Sequence, residues 1–447
     1  MASTPDHLLA YIFELAVEDT FGLGRVRLLQ RFNLVCRRFR RVALDSPRLW
    51  SSFFLGHDDL RLPELYLKRS RLAGLRINVR LSCDGDGLLP QASQMLDDLL
   101  LHSDRWEYLS VCIPVVEAGR EDTVLKRLSI QRLPRLKSIS IEYPEDSRDV
   151  PTSFHFYTSC ELLNLRALQL SYLSPMLFNC PSLTSFTATV NLFFDPVELL
   201  QFLDATRSLE EIDFCFESVD FMRNSGRLQD VALPNIRTLE ITIDSSSIYA
   251  LMPLRRVLLT PNIRKAVFCI NSVHEADYCI GSNGDDDDDD YDGRYNQYFL
   301  GDLTRFLNFM LYHDVYPTII DFAFKADNIP ISKFAGTYEI PFWKMPCLRI
   351  LTLETNNTSP RFGLDDPFLP PLSHIHVKGL HEKWIIWLKS LHHLLTERNK
   401  LSGLECLFID GGGRNYYKVS ELFEGTRTVW NTYEPNFNPY SSLSSKG

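Results

Sequence analysis

The feature that most constrains this chain is a six-residue unit, apolar-x-x-apolar-x-apolar, that returns along most of its length. Clear copies are LKSISI from Leu136, LRALQL from Leu165, LEEIDF from Leu209, IRTLEI from Ile236, LRILTL from Leu348, LSHIHV from Leu372 and LECLFI from Leu404. Weaker copies are LAGLRI from Leu72, WEYLSV from Trp106, LTSFTA from Leu183, IRKAVF from Ile263 and IIDFAF from Ile319. Apolar residues alternating over so short a span predict strands. Successive copies start mostly 24 to 34 residues apart, with one step of 18 and one of 56. The step of 56 reads as two units of 28 with an acidic stretch inside it. A single unit cannot bury its own apolar face, so neighbouring units must stack into one continuous core.

A step of about 27 residues lies in the leucine-rich-repeat range, and the body of the chain resembles a degenerate form of such repeats. It lacks the invariant asparagine of tidy ones. Each unit holds one strand and a return segment, with helical returns predicted at Pro196–Ala205 and Leu303–Tyr312. The phrases LPRL, CPSL, LPNI and MPCL just before strands look like tight turns into the next repeat. The expected fold class is α/β, a small helical module followed by a curved leucine-rich-repeat-like solenoid. The competing reading is an ordinary α/β sheet domain. Near-regular strand spacing without a nucleotide-type glycine loop favours the solenoid. On that reading the second, third and fifth residues of each unit face outward on one surface. The candidate target-binding residues are therefore Lys137, Arg166, Glu210, Glu211, Asp213, Arg237, Glu240, Arg349, His374 and His376. The face is mixed in charge, and its acidic patch over 210–213 suits a protein ligand of some basic character.

The first fifty residues follow a different period. Leu8, Leu9, Ile12, Phe13 and Leu15 recur at helical spacing, with Ser3 or Thr4 as a cap and Pro5 in the first turn. Gly22 and Gly24 predict a loop. One further helix is expected from about Arg25 to Leu44, striped by Leu28, Leu29, Phe32, Val35, Phe39 and Val42 and basic on its other face. Pro47 stops it, because the residue before a proline is driven out of the helical region. So small a unit buries little surface alone, so it either docks on a partner or caps the large domain.

The same residues resemble the F-box, a helical docking module. Pro5, Leu8, Leu9, Ile12, Phe13 and Leu15 match its opening. Val35, Cys36, Arg37 and Arg40 match its middle, with Phe39 at the usual tryptophan position. Pro47, Leu49 and Trp50 match its close. Thr4 replaces the usual leucine, His7 the common acidic residue, and the loop from Glu18 to Gly24 is slightly long. The resemblance implies contact with a Skp-type adaptor and, through it, a cullin. It would assign that contact to Pro5, Leu8, Leu9, Ile12, Phe13, Val35 and Cys36, with Leu49 and Trp50 closing the module and counted among the contact residues. F-boxes followed by degenerate repeats resemble the large fungal, basidiomycete-type F-box families. The implied function is a substrate-recognition subunit of an SCF-type ubiquitin ligase that captures a target protein and supplies no catalytic residue. A non-ligase repeat scaffold is the alternative. The expected layout is a module over 1–55, a repeat body over 56–430 with an acidic loop near 281–296, and a tail over 431–447.

Charge and composition narrow the remaining classes. The net charge is −10, and Asp285 to Asp290 supply six of the negative charges. That balance disfavours nucleic acid as a partner. Ten cysteines without a CxxC pair fit small buried hydrophobes in a reducing compartment. No signal peptide and no long apolar run are visible, so a cytoplasmic or nuclear protein without a membrane span is expected. No cofactor or metal site is expected. His374, His376, His392 and His393 lack companions at ligand spacing and read as surface or loop histidines. The aspartate run lacks EF-hand spacing and reads as a solvated loop. Gly411 to Gly413 lack a phosphate-loop lysine and read as a turn.

Overall fold

The computed structural model describes residues 4–18, 20, 22–55, 63–80, 90–112, 133–142, 162–172, 180–190, 196–217, 230–244, 258–271, 303–311, 316–327, 337–355, 359–361, 368–378, 382–410, 419, 422–423 and 425–431. The chain divides into two compact units, 1–209 and 210–447. Both are mixed α/β and built on parallel sheets. The expected acidic loop, the Gly411–Gly413 turn and the tail beyond Asn431 lie outside the described residues.

The first unit opens with three helices, α1 (Asp6–Glu18), α2 (Gly22–Val35) and α3 (Arg37–Asp45), and a 3-10 turn at Pro47–Trp50. Two expectations change here. Gly22 and Gly24 sit in the first turn of α2, not in a loop. The single long helix is broken at Cys36, whose backbone is extended (φ −162, ψ 168) and whose Sγ accepts from Phe39 N–H at 3.4 Å. The break releases Val35 from the apolar stripe, leaving it exposed. Phe13 holds the bundle together, stacking on Phe32 of α2 at 4.1 Å and meeting Phe39 of α3 edge-on at 5.1 Å.

The division at 209/210 falls within the expected repeat body, and the helices before residue 55 belong to the first unit. β1 (Ser52–Leu55) pairs with β2 (Leu75–Arg80), and Trp50 packs edge-on against Tyr66 of α4 (Pro63–Ser70) at 5.1 Å. The helices are thus sealed onto the first strands. After α5 (Pro90–Leu100) come β3 (Trp106–Cys112), β4 (Ser138–Glu142), β5 (Ala167–Ser171), β6 (Ser185–Val190) and α6 (Pro196–Ala205). β1 to β6 form parallel pairs in chain order. Two tryptophans end helices alike. Trp50 Nε1 donates to Ala43 O at 2.8 Å and Trp106 Nε1 to Leu99 O at 3.1 Å, each reaching back seven residues. The first satisfies a carbonyl at the open C-terminus of its helix; Leu99 O also accepts from His102 N–H at 2.9 Å.

The second unit carries β7 (Glu211–Phe216), β8 (Val231–Ala232), β9 (Thr238–Asp244), β10 (Leu258–Leu259), β11 (Lys265–Asn271), α7 (Leu303–Met310), β12 (Asp321–Asp327), β13 (Thr337–Glu339), β14 (Ile350–Thr355), β15 (Ser359–Arg361), β16 (His374–Lys378), α8 (Glu382–Glu397), β17 (Cys406–Asp410) and β18 (Arg427–Asn431). Its main sheet runs β7-β9-β11-β12-β14-β16-β17-β18, every pair parallel. The returns form two small parallel pairs, β8 with β10 and β13 with β15. β11 pairs directly with β12, Lys265 opposite Asp321. The step of 56 residues is therefore one unit with a long insertion, not two units. Strands β1 and β18 were not among the twelve copies of the motif, because neither begins with the full six-residue pattern.

The six-residue unit works as its apolar positions predict. First, fourth and sixth residues are buried, as in Leu136, Ile139 and Ile141 or Ile236, Leu239 and Ile241. Leu72 is the exception at 84% exposure; there the core row starts at Leu75. Each such side chain contributes roughly 1.5–3 kcal/mol of transfer free energy. The phrases before the strands are tight turns closed by bonds of three-residue span. Leu136 N–H donates to Leu133 O at 3.1 Å, Leu183 to Cys180 at 3.1 Å and Leu348 to Met345 at 3.2 Å. Pro134, Pro181 and Pro346 take the second position of these turns, where a fixed φ is favourable. A polar residue clips each turn to the one before it. Asn164 Nδ2 donates to Pro134 O at 2.6 Å, Asn262 Nδ2 to Pro234 O at 2.7 Å, and Ser208 Oγ to Pro181 O at 2.9 Å. The expected helical returns are present as α6 and α7. Phe202 of α6 lies 4.9 Å from Phe186 of β6, and Phe306 of α7 lies 6.3 Å from Phe324 of β12, ring to ring.

Candidate functional site

Two surfaces are available for recognition, one in each unit. The first is the helical start. The apolar residues of α1 split between two faces. Leu9, Phe13 and Val17 are buried, while Leu8, Tyr11, Ile12 and Leu15 are 46–58% exposed. Leu34 and Val35 at the end of α2, together with Pro5 and Cys36, are exposed as well. Of the expected contact residues, Leu9, Phe13, Leu49 and Trp50 are buried in the core, where they hold the helices. Tyr11, Leu15 and Leu34 belong to the exposed apolar face instead. Periodicity signalled α1 as amphipathic but could not say which edge of a broad stripe faced inward.

Charged groups fix how α1 sits. Asp6 accepts from Arg38 at 2.7 Å and from Arg41 at 2.8 Å, and Arg38 also donates to Thr4 O. These bonds hold the Asp6 carboxyl below the usual carboxylate range. The basic face expected of this segment is thus partly committed inside the unit. Arg25 bridges the end of α1 to the 3-10 turn, donating to Val17 O at 2.6 Å and Leu49 O at 3.3 Å; burial lowers its pKa.

The second surface is the side of the β7–β18 sheet opposite the core. Parallel register places Asp213 directly beside Glu240, with Glu211 one row away beside Thr238. Asp213 is half-buried, and desolvation, reinforced by the Glu240 charge, pushes its carboxyl up to about 6. Further along, His374 and His376 stand on β16. His376 Nε2 lies 3.8 Å from Asp410 Oδ2, and its ring sits 6.0 Å from Phe408. Ser373 Oγ is 3.0 Å from His374 Nδ1. Lys378 pairs with Glu354.

The turn preceding each strand supplies another row. Backbone bonds link Glu210, Arg237, Arg264, Ile320, Arg349, Ser373 and Glu405 in that order. The expected residues Arg237 and Arg349 are therefore brought together, but with Arg264 and the exposed Ile320 between them. Arg264 and Lys265 are the second and third residues of the weak copy IRKAVF, positions that face outward in the clear copies. Opposite Lys265 on the next strand, Asp321 has its carboxyl raised by burial and partly lowered by that ammonium. The expected Lys137 and Arg166 belong to the first unit and are exposed there. Lys137 is held by Glu107 at 3.2 Å.

Among the described residues no group of three or more His, Cys, Asp or Glu is placed to hold a metal, and no helix is long and apolar enough to cross a membrane. His392 and His393, expected on the surface or in a loop, ride on α8, where His393 lies 3.1 Å from Glu397. Cys180, Cys269 and Cys406 are buried free thiols, and burial pushes Cys180 up to about 12, whereas Cys36 and Cys347 are exposed. No protein-family model matches the sequence, and a search of curated proteins returns no significant match.

Proposed function

We propose that this chain is a non-catalytic substrate-recognition subunit of a cullin-based SCF-type ubiquitin ligase, working in the cytoplasm or nucleus. Its helical start is an F-box-like module that docks on a Skp-type adaptor. Its strands and returns form a leucine-rich-repeat-like solenoid whose open face holds a target protein. Ubiquitin transfer then follows from proximity, because tethering raises the concentration of target lysines near the charged conjugating enzyme.

The observation that carries this reading is the division of α1. Leu8, Tyr11, Ile12 and Leu15 present an apolar strip to solvent although Leu9, Phe13 and Val17 already fill the core. A helix that served only as a cap would gain nothing from the second strip, and exposed apolar patches mark interaction sites. Strand order that follows chain order supports the repeat reading, since doubly wound sheets reverse direction at a switch point.

The test is co-purification of the full chain with a Skp-type adaptor, beside a Leu8→Asp, Ile12→Asp variant. Wild-type capture that the variant loses while staying folded supports docking. Absence of wild-type capture, under conditions that retain other F-box proteins, leaves the non-ligase repeat scaffold as the better reading.

A further inference from the structure

We infer that the turn-row cations of the second unit, Arg237, Arg264 and Arg349 with Lys265, form the docking site for an extended acidic segment of a protein partner that carries an apolar residue between its carboxylates. The inference rests on the proposed target-capturing role of this sheet and specifies the chemistry of the target.

The row is a product of register. Arg264 N–H donates to Arg237 O at 2.8 Å, Ile320 N–H to Arg264 O at 2.9 Å and Arg349 N–H to Ile320 O at 3.0 Å. The four residues therefore stand side by side on consecutive strands. Arg237, Arg264, Ile320 and Arg349 are all exposed. Among the described residues none of the three arginines enters an ion pair, in contrast with Lys137, Arg38 and Arg41, which all have carboxylate partners. Three unpaired guanidinium groups on one short row stand out in a chain whose net charge is −10.

Geometry sets what fits. Neighbouring strands lie about 4.8 Å apart and an extended chain rises about 3.3 Å per residue. Arg264 and Arg349, two strands apart, are thus separated by about 10 Å. Because side chains of an extended peptide alternate faces, two carboxylates on one face with an apolar residue between them are four residues apart, about 13 Å, a span the long arginine side chains can meet. A segment crossing the strands can place one carboxylate on each arginine. Its intervening side chain then falls over Ile320, which is 41% exposed, beside Ile350 at 38%. Guanidinium forks bind carboxylates bidentately, so position as well as charge is selected. The ends of the row set its length. Glu210 precedes Arg237 and Glu405 follows Ser373, so an acidic segment reaching past either end meets like charge. This revises the basic ligand expected from the 210–213 patch, which occupies one end of the sheet only.

The probe is a fluorescein-labelled peptide with a central Asp-Ala-Leu-Ala-Glu, titrated with the full chain and read by fluorescence anisotropy. Saturable binding is expected to weaken at least tenfold in Arg264→Ala and in Arg349→Ala, to weaken when the peptide leucine is serine, and to persist in Lys389→Ala on α8. Arg264→Gln and Arg349→Gln guard against a local folding defect, which circular dichroism of each variant also checks. Lack of wild-type binding, or equal binding by the row variants, overturns the inference. So does a much tighter complex with a phosphoserine peptide of the same spacing, or with a single-stranded oligonucleotide. Each row variant is also tested for co-purification with the Skp-type adaptor. Adaptor capture without peptide binding defeats this inference alone, whereas loss of wild-type capture defeats the ligase reading and leaves the anisotropy result standing by itself.

Discussion

Lys265 and Asp321 are direct neighbours on adjacent parallel strands, although a long insertion separates them in sequence. The chain leaves the ladder after Asn271 and returns at Asp321 in the next place, with no ladder position skipped. A long connection costs little more to close than a short one, because the closure entropy grows only logarithmically with length. The same pairing sets Arg264 beside Ile320 and so creates the basic row.

The two faces of α1 respond differently to mutation. Leu9→Ala removes a buried side chain and is expected to cost about 2–4 kcal/mol. Leu8→Ala, at an exposed position, is expected to change stability by less than about 0.5 kcal/mol. Urea unfolding of both variants measures the contrast; equal losses would show that Leu8 is also core.

Asp213 makes the second unit sensitive to pH. Its folded pKa, about 6, lies above the ordinary aspartate value of 3.8, so the folded state holds this proton more tightly than the unfolded one. The advantage is full below pH 4 and is lost as pH rises through 6. Asp213→Asn removes the desolvated charge beside Glu240 and is expected to raise the urea midpoint at pH 7.5 more than at pH 4.5. A midpoint gain of the same size at both values would contradict this.

The clip between turns is a separable stabilising element. Asn262→Ala deletes the bond to Pro234 O and is expected to cost about 1 kcal/mol. Asn262→Ser, which puts here the hydroxyl that Ser208 uses to reach Pro181 O at 2.9 Å, is expected to recover most of that loss. Thermal unfolding of the pair decides the matter, and an unchanged midpoint in both removes the clip as a contributor.

Lys344 is a buried cation with a structural use. Its Nζ donates to Asn308 O at 3.3 Å and Leu311 O at 2.5 Å, at the open end of α7. A positive charge there also opposes the helix dipole. Lys344→Met keeps the volume and leaves both carbonyls short of a donor, with an expected loss of about 1–3 kcal/mol by chemical denaturation. A neutral result would mean that water replaces the amine.

The sequence by itself determined the strands and their inward faces. Apolar residues at first, fourth and sixth positions have one way to leave water together, and the prolines of LPRL, CPSL and MPCL fix where the chain turns. It determined the amphipathic character of α1 for the same reason. Only the tertiary structure decided which edge of that stripe is core, because Leu8 and Leu9 are equally apolar and the choice is made by Phe32 and Phe39 packing on Phe13. Cys36 likewise ends α2 through a backbone conformation that an apolar stripe continuous from Leu28 to Val42 does not signal. The pairing of β11 with β12, and with it the meeting of Arg264, Ile320 and Arg349, depends on which strands become neighbours. Periodicity reports that a strand has an inward face; it carries no information about the residue beside it on the next strand, which is set by backbone hydrogen bonds between segments far apart in the chain.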